Sequence, residues 1–269
     1  MSQKHLKATV FLGGGRITGA LAAGLRLAGY DRAIVVYDRN PGKLRTLRRE
    51  SRVEIARDLR SAIERAEMLI VAVRPGSVAE LLDGVAACGI SPGLCVCLAA
   101  GIPLRKLRAR IGPPARWVRA MPSPVCRVGR GLTALSFDRG VRKTERSRVR
   151  GLFELVGAVL EIPERKFDTF TATYSSSHGY HALATLAKAA ELAGLDRTTA
   201  LTAAAHALSD GIAYWRESGA DLADLLHEAA TPGGIAAATI SAMDKSGYGK
   251  VIAKGLRAGI RQARRNAKD

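Results

Sequence analysis

The sequence predicts an α/β fold in which a doubly wound parallel sheet is followed by an all-α domain. Short, nearly unbroken apolar runs alternate with helix-compatible segments in the first part of the chain. That alternation is typical of parallel strands buried on both faces. After about residue 165, alanine-rich segments with helical spacing replace the β-branched runs. We therefore predict a sheet domain over residues 1–164 and a helical domain over residues 165–269.

The predicted elements follow from where each apolar run starts and stops. Strands are predicted at 8–12, 33–37, 68–73, 94–98, 116–120, 131–137 and 158–161. Helices between them are predicted at 17–28, 42–49, 58–65, 77–87, 104–110 and 142–156. The second domain has predicted helices at 178–193, 197–217, 221–229, 233–246 and 249–266. Asp196 and Asp221 are expected N-caps, and Gly194, Gly219 and Gly247 are expected helix ends.

Composition restricts the class of protein. No apolar stretch approaches the roughly 18 residues that span a bilayer, and the run Ala8–Leu12 is too short for a signal-peptide core. The four cysteines, Cys88, Cys95, Cys97 and Cys126, form no CxxC pair and have no histidine at ligand spacing. We therefore expect a cytoplasmic protein with reduced core thiols, no disulfide framework and no metal site.

The formal net charge of +18 raises the question of nucleic-acid binding. Arginine is spread along the chain, however, and aromatic residues make up only 5% of it. The densest basic stretch has the spacing of a solvated helix face. It contains Lys245, Lys250, Lys254, Arg257, Arg261, Arg264, Arg265 and Lys268. We expect attraction to anionic small molecules, with neither a nucleic acid nor a membrane as partner.

A glycine-rich turn, Gly13-Gly14-Gly15, follows the first predicted strand and opens the first predicted helix. Glycines at 13 and 15 allow a tight turn and the approach of a diphosphate to the amides of Gly15, Arg16 and Ile17. The sixth position of the usual pattern is Thr18, where glycine or alanine is more common. In this strand–turn–helix context the motif predicts a Rossmann-type site for a nicotinamide dinucleotide.

The end of the second strand bears on which dinucleotide is bound. Asp38 can accept hydrogen bonds from a ribose 2′-hydroxyl and would repel a 2′-phosphate, which favours NAD. Arg39 follows it, and its guanidinium would favour NADP. The expected cofactor is therefore NAD(P)H, and Asp38 weakly favours NAD. Two further strand ends are expected beside the nicotinamide. These are Val73-Arg74-Pro75 and Ala99-Ala100-Gly101.

The order of motifs along nearly the whole chain resembles the pyrroline-5-carboxylate reductase family. The motifs are Gly13–Gly15, Ala72-Val-Arg-Pro75, Ala99-Ala-Gly-Ile102, Val118-Arg-Ala-Met-Pro122, Val128-Gly-Arg-Gly131 and Thr231-Pro-Gly-Gly234. The resemblance implies hydride transfer to a cyclic imine carboxylate, as in proline synthesis, and a homodimer or larger assembly formed through the helical domain. The substrate residues it implies are Met121, Ser123, Thr231, Gly233, Gly234 and Ala236.

The chain departs from the family where substrate would bind. Ile235 and Ala236 replace two hydroxyl residues after the Pro-Gly-Gly turn, and the second would lie near the imine nitrogen. Ser123-Pro124-Val125 replaces Asn-Thr-Pro. We expect another group to donate the proton, and His178 is the candidate, with Ser176 and Tyr180 beside it.

A hydroxyacid dehydrogenase of similar architecture needs a lysine between a glycine and an asparagine, but Lys188 has Ala184 and Leu192 at those places, so this match fails. Two alternatives remain open. A reductase of a different imine or keto acid fits the same motifs. A dinucleotide-binding sensor without catalysis fits the missing hydroxyls at positions 235 and 236.

Overall fold

The computed structural model describes residues 7–267, so Lys268 of the basic stretch lies outside the described residues. The strands are β1 Ala8–Leu12, β2 Ile34–Tyr37, β3 Glu54–Ile55, β4 Ala66–Val71, β5 Leu94–Cys97, β6 Arg116–Met121, β7 Gly131–Phe137 and β8 Gly157–Glu161. The helices up to the end of the sheet are α1 Arg16–Leu27, α2 Pro41–Ser51, α3 Leu59–Arg65, α4 Val78–Ala87, α5 Leu104–Arg110 and α6 Lys143–Glu154. The remaining helices are α7 Phe167–Thr173, α8 Ser176–Leu192, α9 Arg197–Ser218, α10 Leu222–Ala229, α11 Ile235–Lys245 and α12 Tyr248–Asn266.

The described strands form one sheet in the order β3-β2-β1-β4-β5-β6-β7-β8. The first six strands in this order, β3 to β6, are paired in parallel, and the direction of chain progression through the sheet reverses between β1 and β4. The predicted doubly wound sheet is therefore confirmed for this part. β7, however, runs antiparallel to β6, and β8 runs parallel to β7. The short connection after β6 contains no crossover helix, which returns the chain in the opposite direction.

Two apolar clusters cover the two faces of the sheet. One contains Phe11, Val118 and Phe153, and the other contains Leu12, Trp117 and Leu107. Residues that alternate along β1 and β6 thus enter opposite clusters, as the pleat of a strand requires. Both faces are buried, which explains why these strands are nearly continuous apolar runs.

The chain divides into two compact units. One comprises the residues up to Tyr174 together with those from Ala258 onward, and the other is Ser175–Arg257. The first unit therefore extends past the predicted boundary at residue 164, and it also includes the end of α12. The unpredicted helix α7 belongs to this unit.

A buried cation explains why the segment after β8 stays with the sheet. The guanidinium of Arg119 on β6 is 3% exposed, donates to Asp168 Oδ1 at 3.0 Å and lies 4.3 Å from the centroid of the Phe167 ring. The carboxylate of Glu164 accepts from the backbone amide of Leu104 at 2.6 Å. These long-range contacts fasten α7 and the preceding turn to the sheet, and periodicity alone does not predict them.

The helical unit is built on the pair α8 and α9, which pack against each other. Small side chains, Ala187, Ala200 and Ala204, are buried in this unit. Asp196 and Asp221 are the N-caps of α9 and α10, as predicted, and their side chains accept hydrogen bonds from backbone amides of the first turn. Large apolar side chains of this unit remain exposed in the single chain. They include Leu192, Ile212, Tyr214, Trp215, Leu222, Leu226 and Val251.

Between residues 7 and 267, no helix has both the length and the apolar character needed to cross a membrane. Cys95, Cys97 and Cys126 are buried free thiols, and Cys88 is half-buried. Burial raises the pKa of Cys97 and of Cys126 to about 11. These thiols therefore stay protonated at neutral pH and act as small apolar core residues.

Glu145 on α6 joins the helix to the start of β6. Its carboxylate, 5% exposed, accepts from Arg116 Nε and Nη2 at 2.7–2.9 Å and from Arg142 Nη2 at 2.7 Å. Burial by itself raises the pKa of Glu145, but hydrogen bonds from Arg142 and Arg116 lower it overall to about 2. The ionised form therefore stabilises the folded chain.

Replacing this carboxylate tests its contribution. We expect Glu145→Gln to lower the free energy of unfolding at neutral pH by about 2 kcal/mol, because two guanidinium groups lose their partner while water still reaches Arg142. The folded pKa of about 2 lies below the ordinary 4.5. The difference in the free energy of unfolding between wild type and Glu145→Gln is therefore largest above about pH 4.5, and it shrinks as the pH falls towards 2. Urea unfolding at several pH values measures it.

The matched control is Glu154→Gln on the same helix, where the pair with Arg150 is about half exposed on both sides. Exposed pairs of this kind contribute about 0.5 kcal/mol or less. Equal effects of the two substitutions would contradict the role assigned to Glu145.

Candidate dinucleotide site

The glycine turn after β1 packs directly on the backbone that leaves β4. Gly13 has a φ of +113°, and a Cβ at this position would lie 2.6 Å from the carbonyl oxygen of Ala72. The amide of Gly13 donates to the carbonyl of Tyr37 at 2.7 Å. Both the backbone conformation and the space therefore require glycine. The turn lies where the chain order of the sheet reverses, the position at which open α/β sheets bind ligands.

The start of α1 leaves room for an anion. Gly15 is the N-cap of this helix and no side chain caps the first turn. The φ of Gly15 is −80°, which any residue can adopt, and a Cβ added there would meet no atom within 4 Å. Arg16 is exposed and Ile17 half-buried. Backbone amides at an uncapped helix start bind diphosphate well, so this geometry fits the predicted cofactor group.

Thr18 has a role that the motif did not predict. Its buried hydroxyl donates to the carbonyl of Gly13 at 2.6 Å. The hydroxyl thus ties the first turn of α1 to the glycine turn and satisfies a buried carbonyl. Threonine at the sixth position is therefore compatible with the turn, and Gly19 next to it keeps α1 close to Leu47 of α2.

Asp38 lies between the glycine turn and α2. Its Oδ2 accepts from the amide of Gly14 at 2.7 Å, and its Oδ1 accepts from the amide of Asn40 at 2.8 Å. Partial burial raises the pKa of Asp38, but the amides of Gly14 and Asn40 and the ammonium of Lys43 lower it overall. The carboxylate is therefore ionised at neutral pH, and it holds the glycine turn through the amide of Gly14.

The residues after Asp38 are more exposed. Arg39 Nη1 pairs with Glu80 Oε1 at 2.6 Å, and both side chains are about 70% exposed. Asn40 caps α2 by accepting from the amides of Gly42 and Lys43. A guanidinium in an exposed pair of this kind is only weakly held.

The predicted nicotinamide residues follow neighbouring strands at the same edge of the sheet. Val73 and Arg74 follow β4, and Val73 Cγ1 lies 3.0 Å from the position of a Cβ on Gly13. Pro75 opens the 3₁₀ turn that precedes α4. Ala99 is buried and Ala100 half-buried after β5. Parallel strands end at one edge, so the structure places the predicted cofactor residues of β1, β2, β4 and β5 together.

Two predicted substrate residues belong to the same unit. Met121 is the last residue of β6 and lies at that edge, half-buried. Ser123 is buried, and its Oγ accepts from the amide of Val125 at 3.4 Å. This places Ser123 at the start of the 3₁₀ turn Pro124–Val128, which packs closely on α1 at Gly24.

The proposed proton-donor residues begin α8 of the helical unit. Ser175 is the N-cap, and its hydroxyl accepts from the amide of Ser177. Ser176 is half-buried, while His178 and Tyr180 are exposed in the single chain. Their catalytic roles remain predictions.

The Thr231–Gly234 turn leads into α11. Gly233 has a φ of +79°, and a Cβ on Gly234 would lie 2.8 Å from Thr231 Oγ1. Gly234 is the N-cap of α11, and no side chain caps the first turn. Ile235 is 89% exposed and Ala236 is exposed beside it. This second uncapped helix start suits a carboxylate, because its amides are available to an anion.

The chain is similar to known reductases over nearly its full length. Residues 164–266 match the family described as Pyrroline-5-carboxylate reductase dimerisation, and residues 9–93 match NADP oxidoreductase coenzyme F420-dependent. Pyrroline-5-carboxylate reductase of Mycobacterium tuberculosis is 31% identical over 263 residues, covering 88% of this chain and 89% of the relative. The Mycobacterium leprae protein of the same name is 30% identical over 90% of both chains.

The chain belongs to the pyrroline-5-carboxylate reductase family. Solved structures agree with this fold. Pyrroline carboxylate reductase of Plasmodium falciparum with NADP bound has a TM-score of 0.87 at 19% identity and covers 98% of this chain and 99% of its own. A reductive aminase of Aspergillus terreus in complex with NADPH has a TM-score of 0.62 at 17% identity, covering 96% of this chain and 88% of its own. The family, the fold class and the enzyme class expected from the sequence are confirmed, including a helical domain of the dimerisation type.

Gly15 allows stability and binding to be tested separately. We expect Gly15→Ala to leave the melting temperature within about 2 °C of wild type, because its Cβ meets no protein atom. The methyl group would occupy the approach to the α1 amides, so affinity for NADPH should fall at least about tenfold, roughly 1.4 kcal/mol. Calorimetric titration and thermal melting measure the two effects.

Gly151→Ala is the matched control, because Gly151 lies on α6 and a Cβ there also meets no atom within 4 Å. This variant should bind NADPH like wild type. Unchanged affinity in Gly15→Ala would remove the helix start from the cofactor site.

Proposed function

We propose that this chain is an NAD(P)H-dependent reductase of the C=N bond of a cyclic imine carboxylate, of the pyrroline-5-carboxylate type. The observation that carries the proposal is the uncapped start of α1 beside Gly15, where no protein atom lies within 4 Å of the position of an added Cβ. Family membership supports the same substrate class.

Different residues of the chain would bind the different parts of the cofactor. The amides of Gly15, Arg16 and Ile17 bind the diphosphate, and Asp38 accepts from the ribose. The loops Val73–Pro75 and Ala99–Gly101 border the nicotinamide and exclude water from one side. When bound, a reduced nicotinamide supplies a hydride to the imine carbon.

The substrate carboxylate is assigned to the turn that opens α11. Thr231, Gly233 and Gly234 bring a hydroxyl and uncapped amides to one place, and small residues there allow close approach. Met121 and Ser123 are proposed to border the ring, and Ala236 stands where the family has a hydroxyl. An anion held at a helix start aligns the C=N bond for reduction.

The proton is assigned to His178 on the first turn of α8. Reduction of C=N adds a hydride to carbon and a proton to nitrogen, so a proton donor is needed, and histidine is the side chain that most often fills that role in enzymes. Ser176 and Tyr180 are proposed to orient substrate or donor. We infer this arrangement from the position of His178 at the start of α8 and from the absence of the usual hydroxyl at Ala236.

His178→Ala tests the donor. Turnover should fall at least about tenfold while affinity for the reduced dinucleotide stays unchanged, because a lost general acid affects the chemical step. Stopped-flow oxidation of the cofactor measures turnover, and calorimetry measures binding. The matched control is His181→Ala, another exposed histidine of α8, which should behave like wild type. Wild-type turnover in His178→Ala would exclude His178 from the reaction.

The cofactor preference is proposed to be NADH over NADPH, with both accepted. The ionised Asp38 carboxylate repels a 2′-phosphate, and the weakly held Arg39 offsets part of that repulsion. The NADP bound in the Plasmodium falciparum structure shows what that relative binds.

A turnover assay of cyclic imines and keto acids with each cofactor tests substrate and cofactor together. Asp38→Asn keeps the size of the side chain and removes its charge. We expect this change to raise kcat/KM with NADPH relative to NADH about tenfold, roughly 1.4 kcal/mol. Asp31→Asn, at an exposed position before β2, is the control. An unchanged ratio in Asp38→Asn would contradict the role of its charge.

A second candidate function is favoured by Ile235 and Ala236. Loss of a hydroxyl near the substrate nitrogen changes preference by about 1 to 3 kcal/mol, enough to favour a different imine or a keto acid. A sensor without catalysis is the further alternative. The same assay separates them, because a sensor binds a reduced dinucleotide and oxidises it with none of the substrates.

The proposed assembly is a homodimer formed through the helical unit. Its exposed apolar side chains, such as Trp215 and Leu226, are unusual for a monomer surface and fit a second copy of the chain. Further association of dimers and a cytoplasmic location also remain predictions.

A further inference from the structure

The end of α12 contacts the loop that follows β5. The side-chain Nδ2 of Asn266 donates to the carbonyl oxygen of Ala100 at 3.3 Å. Gln262, one turn earlier, donates from Nε2 to Asn266 Oδ1 at 3.1 Å, which orients the amide of Asn266. The contact joins residues 166 positions apart. It lies within the compact unit that contains the sheet, because that unit includes the chain from Ala258 onward.

The backbones in this contact are as close as sterics permit. Gly101 has a φ of +81°, and a Cβ there would lie 2.1 Å from the carbonyl oxygen of Ala263 and 3.0 Å from Asn266 Cβ. Ala263 is 6% exposed, whereas most of α12 is exposed. A Cβ on Gly259 would lie 3.2 Å from Ala172 Cβ on α7. Small residues therefore seat the last turns of α12 against α7 and the loop after β5.

The loop needs such support because the strand ladder ends before it. β5 ends at Cys97, and Leu98 still donates to the carbonyl of Val71 at 2.9 Å. Beyond that point the chain turns at Ala100 and Gly101. A hydrogen bond to the carbonyl of Ala100 fixes the plane of the Ala100–Gly101 peptide.

We propose that Asn266 is a positioning residue that acts through Ala100. Its amide holds the Ala100–Gly101 peptide in the orientation that receives the nicotinamide half of the dinucleotide. The adenine half and the diphosphate depend on Gly15 and Asp38, which Asn266 does not contact. This inference rests on the proposed function, because that function assigns the Ala99–Gly101 loop to the nicotinamide.

ADP-ribose separates the two halves of the cofactor, because it contains the adenosine and the diphosphate but no nicotinamide. In Asn266→Ala we expect the Kd of ADP-ribose to stay within about twofold of wild type. The Kd of the reduced dinucleotide should rise about fivefold, the effect of one lost hydrogen bond. We also expect kcat at saturating dinucleotide to fall, because the nicotinamide ring is no longer held in one orientation.

Asn266→Asp keeps the size of the side chain but cannot donate to a carbonyl when ionised. It should lose dinucleotide affinity at least as strongly as Asn266→Ala. The control is Arg265→Lys, at the neighbouring exposed position, which keeps the positive charge and should match wild type in all three measurements. Circular dichroism melting of every variant establishes that it is folded at the assay temperature.

The outcomes separate this inference from the proposed function. Wild-type affinity and kcat in both Asn266 variants would overturn the inference and leave the function intact. Equal weakening of ADP-ribose and dinucleotide would also overturn it, because the effect would then concern the whole sheet unit. A wild-type protein that binds neither ligand would overturn the proposed function and this inference with it.

Discussion

The close packing of Gly13 on the carbonyl of Ala72 is the constraint on which the site depends. It brings the ends of β1 and β4 together at the point where the sheet order reverses. The same turn directs α1 so that its first amides face open space beside Gly15. A side chain at position 13 would separate these backbones and misplace the start of α1. The fold thereby leaves uncapped main-chain amides at the place where we propose that a diphosphate binds.

Much of the sheet unit could be predicted because its signals are local. The buried strands are apolar runs bounded by glycine and charged residues, and β1 and β7 were predicted with their observed limits. β3 has two residues, too few for any periodicity. The antiparallel direction of β7 depends on the short connection after β6. The place of α7 depends on the buried Arg119, whose partner Asp168 on that helix is 49 positions away in the chain.

The candidate site divides in the same way. The glycine turn, Asp38 and the strand ends are contiguous motifs, so the sequence was sufficient to predict that they meet at one edge of the sheet. Thr18 departs from the motif, and its hydrogen bond to the carbonyl of Gly13 is evident only in the three-dimensional structure. Asn266 and Ala100 are far apart in the chain, and no spacing rule connects them. The substrate residues remain the least determined, because the chain differs from its family at Ile235 and Ala236.

Calorimetric titration of the wild-type protein with NADH and with NADPH tests the central claim most directly. The account predicts saturable heat with at least one of them, at one site per chain, and competition by ADP-ribose because the diphosphate occupies the start of α1. Absence of saturable binding for both reduced dinucleotides would contradict it.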